Sequence, residues 1–278
     1  RGGGMASGTD CVCSAGVGMW GVGEAVAVRA VGMRERGTSE GHGRQLPRAV
    51  DQILVDGIIA NALPRLPEEL PVLVLPTQQV GYSPEHAGFD GTLTLSAPTA
   101  IANWPELGEC ASRPALNKLP PVHAPGGPVP PMDFAPPSPP PACRPPAYRI
   151  HRRDLQLGDP ALGRFGPEEN RFGIHGGDIE TSMMLALRAQ HVEMAQACDF
   201  KSSSQQRAAR YPILGNGTSA KLGWQMQDYN PRGAAGNAAA ASADKGHALV
   251  AAAGEQLALL LREFSELPLS TLVDQARA

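Results

Sequence analysis

Asp51-Gln-Ile-Leu-Val-Asp-Gly-Ile-Ile-Ala-Asn-Ala-Leu-Pro-Arg-Leu66 is followed, after Pro67-Glu-Glu-Leu-Pro71, by Val72-Leu-Val-Leu75. The first stretch carries Ile53, Leu54, Ile58 and Ala62 at helical spacing, which predicts a helix beginning at Asp51. The second is a continuous aliphatic run, the pattern of a strand buried in a parallel sheet. A helix leading into a buried strand implies an α/β layer fold. Polar loops at the C-terminal ends of such strands are where open α/β sheets bind ligands. The loop after Leu75 offers Tyr82, Ser83, Glu85 and His86 as pocket residues. Within it, Thr92-Leu-Thr-Leu95 alternates and reads as a short strand.

Upstream of the helix, Gly37-Thr-Ser-Glu-Gly-His-Gly43 places Glu40 and His42 two residues apart on a glycine-bracketed loop. Asp51 follows nine residues after His42. Two carboxylates and an imidazole suit Zn²⁺ or Mn²⁺, and an aspartate can bridge two such ions. The same residues also read as a polar surface loop.

Far downstream, Phe172-Gly-Ile-His-Gly-Gly-Asp-Ile-Glu-Thr-Ser-Met-Met184 places His175, Asp178 and Glu180 within six residues. Thr181 and Ser182 read as helix N-caps ahead of an apolar run. The stretch suits a site that holds a cation or moves a proton, and equally a plain loop entering a helix.

The remaining chain is less regular. Residues 1–36 have neither helical nor strand periodicity apart from Ala25-Val-Ala-Val28, and read as a poorly ordered segment. Pro105 is expected to interrupt a helix that starts near Ser96. Residues 120–146 hold 13 of the 27 prolines, which excludes a buried strand or long helix there. Leu222–Pro231 reads as a strand, and a long helix with Leu249, Ala252, Leu257, Leu260 and Leu261 on one stripe ends at Pro268.

Composition narrows the function classes. The chain has 278 residues, 42% of them hydrophobic, so a sizeable core can form. Its net charge of −3 favours neither nucleic acid nor an anionic membrane as a partner. No apolar run approaches the ~20 residues of a membrane span. Five scattered cysteines form neither a disulfide framework nor a zinc pair, which makes a reduced, cytoplasmic setting the expectation.

Taken in order, these motifs resemble the creatininase family, creatinine amidohydrolase and its relatives. Glu40-Gly-His-Gly43 with Asp51 is similar to the family's Glu-Gln-His-Gly motif and later Asp. Ser83-Pro-Glu-His-Ala-Gly-Phe-Asp-Gly-Thr-Leu93 resembles its post-strand loop. His175-Gly-Gly-Asp-Ile-Glu-Thr-Ser182 resembles its His-Ala-Gly-x-x-Glu-Thr-Ser motif, and Gly233–Gly246 its glycine- and alanine-rich stretch closed by Lys-Gly. The likeness makes 37–270 one creatininase-like domain, interrupted by the Pro-rich stretch and followed by a tail at 271–278.

The resemblance implies a three-layer α/β/α sandwich with a mostly parallel central sheet. It implies two divalent ions, Zn and/or Mn, hydrolysis of a C–N bond in a small or cyclic amide, and a homo-hexamer. Carried onto matching positions, Glu40, His42, Asp51 and Glu180 are metal ligands and His175 serves the leaving nitrogen as acid/base, with Asp178 a bystander.

One family ligand has no counterpart: Pro125 stands where a histidine belongs, and His123, two residues earlier, is the substitute. The departures cluster around 115–145 and before Glu40, as local reading-frame slips in a GC-rich gene would make them. Translation of the encoding DNA in the other frames tests this; if none restores an aliphatic strand and His-Gly-Gly, the idea fails. Two other readings stand beside the first: a degenerate relative acting as a binding or oligomer subunit, and a peptidase- or deformylase-like member.

Overall fold

A computed structural model describes residues 30–32, 39–70, 72–112, 159–215, 219–220, 222–268 and 271. Strand β1 (Ala30–Gly32) lies parallel to β2 (Val72–Val74), with Ala30 opposite Val72 and Gly32 opposite Val74. Helix α1 (Val50–Ala62) runs between them. A parallel pair needs such a crossover, so helix and strand form where the pattern predicts them, although β2 is partly rather than fully buried. Strand β1 falls within 1–36, at residues where the sequence shows no strand periodicity. Its partner β2 is some forty residues away, so no local periodicity announces it. Ala25–Val28 lies outside the described residues, as do 120–146 with His123 and Pro125, and 272–278.

Past β2 the chain makes a tight turn at Pro84–His86. The expected strand at Thr92–Leu95 reduces to one parallel bridge, Thr94 to Gly81. Helix α2 (Ala97–Ser112) continues through Pro105 rather than stopping there. A proline interrupts one backbone hydrogen bond and can kink a helix without ending it.

After two short helices, α3 (Asp159–Leu162) and α4 (Pro167–Phe172), comes α5 (Asp178–Arg188). Strand β3 (Asp199–Phe200) and helix α6 (Ser203–Arg210) follow, the helix capped by Ser202 Oγ, which accepts from the Ser204 N–H. The predicted strand at Leu222–Pro231 is instead a turn into α7 (Met226–Tyr229), where the Gln225 N–H donates to the Asp228 carboxylate at 2.7 Å. Strand β4 (Gly236–Asn237) pairs antiparallel with β3, and α8 (Ala243–Glu266) closes the described fold. The described strands thus make one parallel and one antiparallel pair.

The core forms where α1, α5 and α8 meet. Val50, Leu54, Val55 and Ile58 of α1 pack with Ile179, Met183 and Met184 of α5 and with Leu249, Val250, Leu257 and Leu261 of α8. Burying each such side chain contributes roughly 1.5–3 kcal/mol. Leu260 and Ala252, expected on the α8 stripe, lie at its partly buried margin. Gly246 lets α8 touch α5: a Cβ there would stand 1.9 Å from the Ser182 carbonyl oxygen. No described helix is long and apolar enough to cross a membrane.

Candidate functional site

Three separate segments build one buried cluster. The first is the loop ahead of α1, closed by the Glu40 N–H donating to the Arg48 carbonyl at 3.2 Å. Glu40 and His42, two residues apart, both turn inward and are 2% and 0% exposed. Asp51 joins them from the first turn of α1.

The second segment carries His175. Its backbone pairs with Ala235, whose N–H donates to the His175 carbonyl at 2.7 Å. Gly176 follows at φ 61°, and a Cβ there would stand 3.1 Å from the His42 carbonyl oxygen, so the position needs glycine. Gln45 Nε2 donates to the Gly176 carbonyl at 2.8 Å and ties this segment to the first. Glu180, in the first turn of α5, accepts from the Gly176 N–H at 2.6 Å.

One detail of this segment differs from the sequence reading. Helix α5 starts at Asp178 with Gly177 at its cap, so Thr181 and Ser182 lie inside the helix and do not cap it. An acidic residue at the first helical position is favoured by the helix dipole, which moves the start upstream. Asp178, expected to be a bystander to the chemistry, has structural partners. It is buried, and Lys245 Nζ holds its two oxygens at 2.7 and 2.5 Å while Ser182 Oγ donates to it at 2.9 Å.

The third segment is the turn after β2. Ser83, Glu85 and His86 are all buried there, whereas Tyr82 is half-buried. Ser83 Oγ donates to the Glu40 carboxylate and lies 3.1 Å from His86 Nδ1. His86 Nδ1 is 3.4 Å from Glu40 Oε2 and 3.9 Å from Glu85 Oε1. The rings stack in a row, His42 on His175 at 3.9 Å and His175 against His86 at 4.1 Å between centroids.

Hydrogen bonding fixes where the imidazole lone pairs point. His42 Nδ1 lies 3.2 Å from the Glu40 carbonyl, which can only accept, so Nδ1 carries the hydrogen in the neutral ring. Its Nε2 makes no hydrogen bond. That lone pair faces Glu40 Oε1 at 3.9 Å, Asp51 Oδ1 at 3.8 Å and Glu180 Oε2 at 3.8 Å. A lone pair aimed among carboxylate oxygens is repulsive unless a cation lies between them, and the donor set suits a borderline divalent ion. Ligand atoms of Glu40, His42 and His175 also fall within 4.8 Å of one another. His175 Nε2 sits 2.7 Å from the Gly41 carbonyl, so its Nδ1 is the lone-pair atom, 4.0 Å from Glu40 Oε1.

Electrostatics match this arrangement. Burial pushes the His42 imidazole down to about 4, and burial with the neighbouring His42 and His86 pushes His175 well below its usual value. Burial opposes ionisation of Glu40, but the hydrogen bond and charge of His86, with His42 and His175, hold its carboxyl well below the usual carboxylate range. His42 and His175 are therefore neutral and the Glu40 carboxylate charged at pH 7, the forms in which each binds a metal.

Glu169 is a site support that sequence reasoning missed. This buried carboxylate accepts from the Ile179 N–H at 3.3 Å through Oε1 and from the Asn237 N–H at 2.8 Å through Oε2. It fastens α4 to the start of α5 and to β4, on either side of the His175 bridge. Its partners are backbone groups 10 and 68 residues away, which leave no side-chain motif to find.

Comparison with known proteins agrees with this geometry. The family model described as creatininase, creatinine amidohydrolase, matches residues 24–261. A comparison with curated proteins gives no match. Among solved structures, an inferred creatinine amidohydrolase from Bacteroides fragilis is 20% identical, with 88% of this chain and 92% of that one covered at a TM-score of 0.66. A creatininase described as a Mn form is 21% identical, with 84% and 90% covered at 0.62. A mutant creatininase of Zn-Zn type is 19% identical, with the same coverage at 0.61. At these identities the structural likenesses speak for the fold, and the family model covers most of the sequence. The chain belongs to the creatininase family.

Proposed function

We propose that this protein is a metal-dependent amidohydrolase that hydrolyses a C–N bond of a small or cyclic amide, as the name of its family suggests. The observation that carries the reading is the His42 Nε2 lone pair, buried and directed at Glu40, Asp51 and Glu180. Glu40, Asp51, Glu85 and Glu180 together bring four carboxylates into a buried cluster. Two divalent ions would offset the negative charge gathered there. Glu40, His42, Asp51 and Glu180 would hold them, with Zn or Mn favoured by the mixed nitrogen and oxygen donors. Bound there, such ions would lower the pKa of a water towards neutrality and polarise the amide carbonyl.

The chain's own residues then have separable tasks. The Gly41 carbonyl holds the His175 tautomer with Nδ1 free to take a proton and deliver it to the leaving nitrogen. Ser83 orients the Glu40 carboxylate, and His86 Nδ1 lies 3.4 Å from its Oε2. The same reading extends to a three-layer α/β/α sandwich, which the likeness to creatininase structures supports, and we propose with it a homo-hexamer and a cytoplasmic setting.

The test is hydrolysis of creatinine and a panel of small cyclic amides by the chain loaded with Mn²⁺ or Zn²⁺. Glu180→Gln and His175→Gln should each lower turnover by about 10²-fold or more. Absence of turnover on every amide, with no metal retained, would leave the family fold in a binding or oligomer subunit.

A further inference from the structure

A cavity of about 730 Å³ borders the loop that carries Glu40 and His42, with Gly41 and Gly43 in its wall. It is lined by Arg44, Arg48 and Arg232 against a single acid, Asp90. The whole chain has 24 basic and 27 acidic residues, so this local excess of cations runs against the overall balance. Two of the guanidiniums are held in place. Arg48 donates to the Asp90 carbonyl, and Arg232 lies 4.7 Å over the Phe200 ring and 2.9 Å from Cys198 Sγ. Arg44 is exposed at the cavity, and Phe89 and Phe200 give the same space apolar walls.

We infer that this cavity binds a carboxylate carried by the amide substrate, with Arg44 and Arg232 as the groups that recognise it. Guanidinium forks match carboxylate geometry, and the aromatic walls suit a compact ring or alkyl body. The Gly41 backbone links the two regions: it lines the cavity, and its carbonyl is the partner of His175 Nε2. A substrate anchored by its carboxylate in the cavity lies against the loop that bears the proposed ligands. The inference deepens the amidohydrolase reading and rests on it for the amide half of the molecule.

The test uses two cyclic amides that differ in one carboxylate, dihydroorotate and dihydrouracil. Binding of each to the metal-loaded chain is measured by calorimetry at low and high salt, beside hydrolysis of both. Dihydroorotate should bind roughly ten-fold tighter, the effect of one charge-assisted hydrogen bond. Arg44→Gln with Arg232→Gln should bring the two within about two-fold, chiefly by weakening dihydroorotate. If loss of the Phe200 contact unfolds that double variant, Arg44→Gln alone should still reduce the preference, and Arg44→Lys should retain part of it. Equal binding of the two compounds, a preference that survives the arginine changes, or no binding of either at millimolar concentration would overturn the inference. The two proposals fail separately: arginine-dependent binding without hydrolysis of any amide refutes the amidohydrolase, and hydrolysis without discrimination refutes the carboxylate site.

Discussion

Replacing Glu169 by glutamine should destabilise the fold more than its conservative chemistry suggests. The Ile179 N–H donates to one carboxylate oxygen and the Asn237 N–H to the other. Glutamine has one oxygen and one NH₂, so whichever way it turns, a backbone N–H meets a second donor. A buried donor left without an acceptor costs about 1–3 kcal/mol. Loss of the charge-assisted character at the remaining bond adds to this, so the total is about 2–4 kcal/mol. Space is also tight: a Cβ at Gly173 or Gly177 would lie 2.3 or 2.4 Å from the Glu169 carboxylate, so the backbone cannot move inward to compensate. For a chain of this size about 1 kcal/mol shifts Tm by roughly 2–4 °C, which predicts a fall of about 5–15 °C. Thermal unfolding followed by circular dichroism measures it, with the exposed Glu168→Gln as control. A Tm within a degree of the parent for Glu169→Gln would refute the reasoning, since a pure spacer would show that result. Hydrolysis at a temperature where the variant is folded should also fall, because the fastened segments flank His175.

Further predictions follow from packing and protonation. Gly246→Ala should push α8 from α5, because its Cβ would meet the Ser182 carbonyl oxygen at 1.9 Å; a cost of about 1–3 kcal/mol by denaturant unfolding is expected, with weaker metal retention through Glu180. Leu257→Ala, in the middle of the buried α8 stripe, should cost about 2–5 kcal/mol without altering metal content. In the metal-free chain, His42 titrates near 4 when folded and near 6.5 when unfolded. The unfolded state therefore binds more protons between those values, and stability should decline as pH falls from 6.5 to 4, on the order of 3 kcal/mol from this residue. His175, also lowered, acts in the same direction, and His42→Gln should flatten the slope in urea titrations across that range.

The parts of this account that sequence revealed share a physical trait: each depends on residues close in the chain. The α1 helix and β2 run are periodic over a few turns, and Glu40, His42 and Asp51 lie within twelve residues. His175 and Glu180 stand beside the glycine that shapes their loop. Where pairing is distant, pattern failed. Strand β1 is defined by β2, Asp178 finds its role through Lys245 67 residues on, and Glu169 binds backbone N–H groups that no residue type marks. Leu222–Pro231 reads as a strand, yet Asp228 offers a local acceptor to the Gln225 N–H at the start of a short helix. The arginine cavity gathers positions 44, 48 and 232, too far apart for any charge run to show.

Metal stoichiometry tests the central claim most directly. The full chain, stripped with chelator and then dialysed against Mn²⁺ or Zn²⁺, is assayed for bound metal by elemental analysis while its Tm is recorded. Two ions per chain are predicted, with a rise in Tm that chelator reverses and that His42→Gln and Glu180→Gln each diminish, since ligands that bind only the folded state stabilise it. A chain that retains no metal, and whose Tm is the same with ion, with chelator and in both variants, would contradict it.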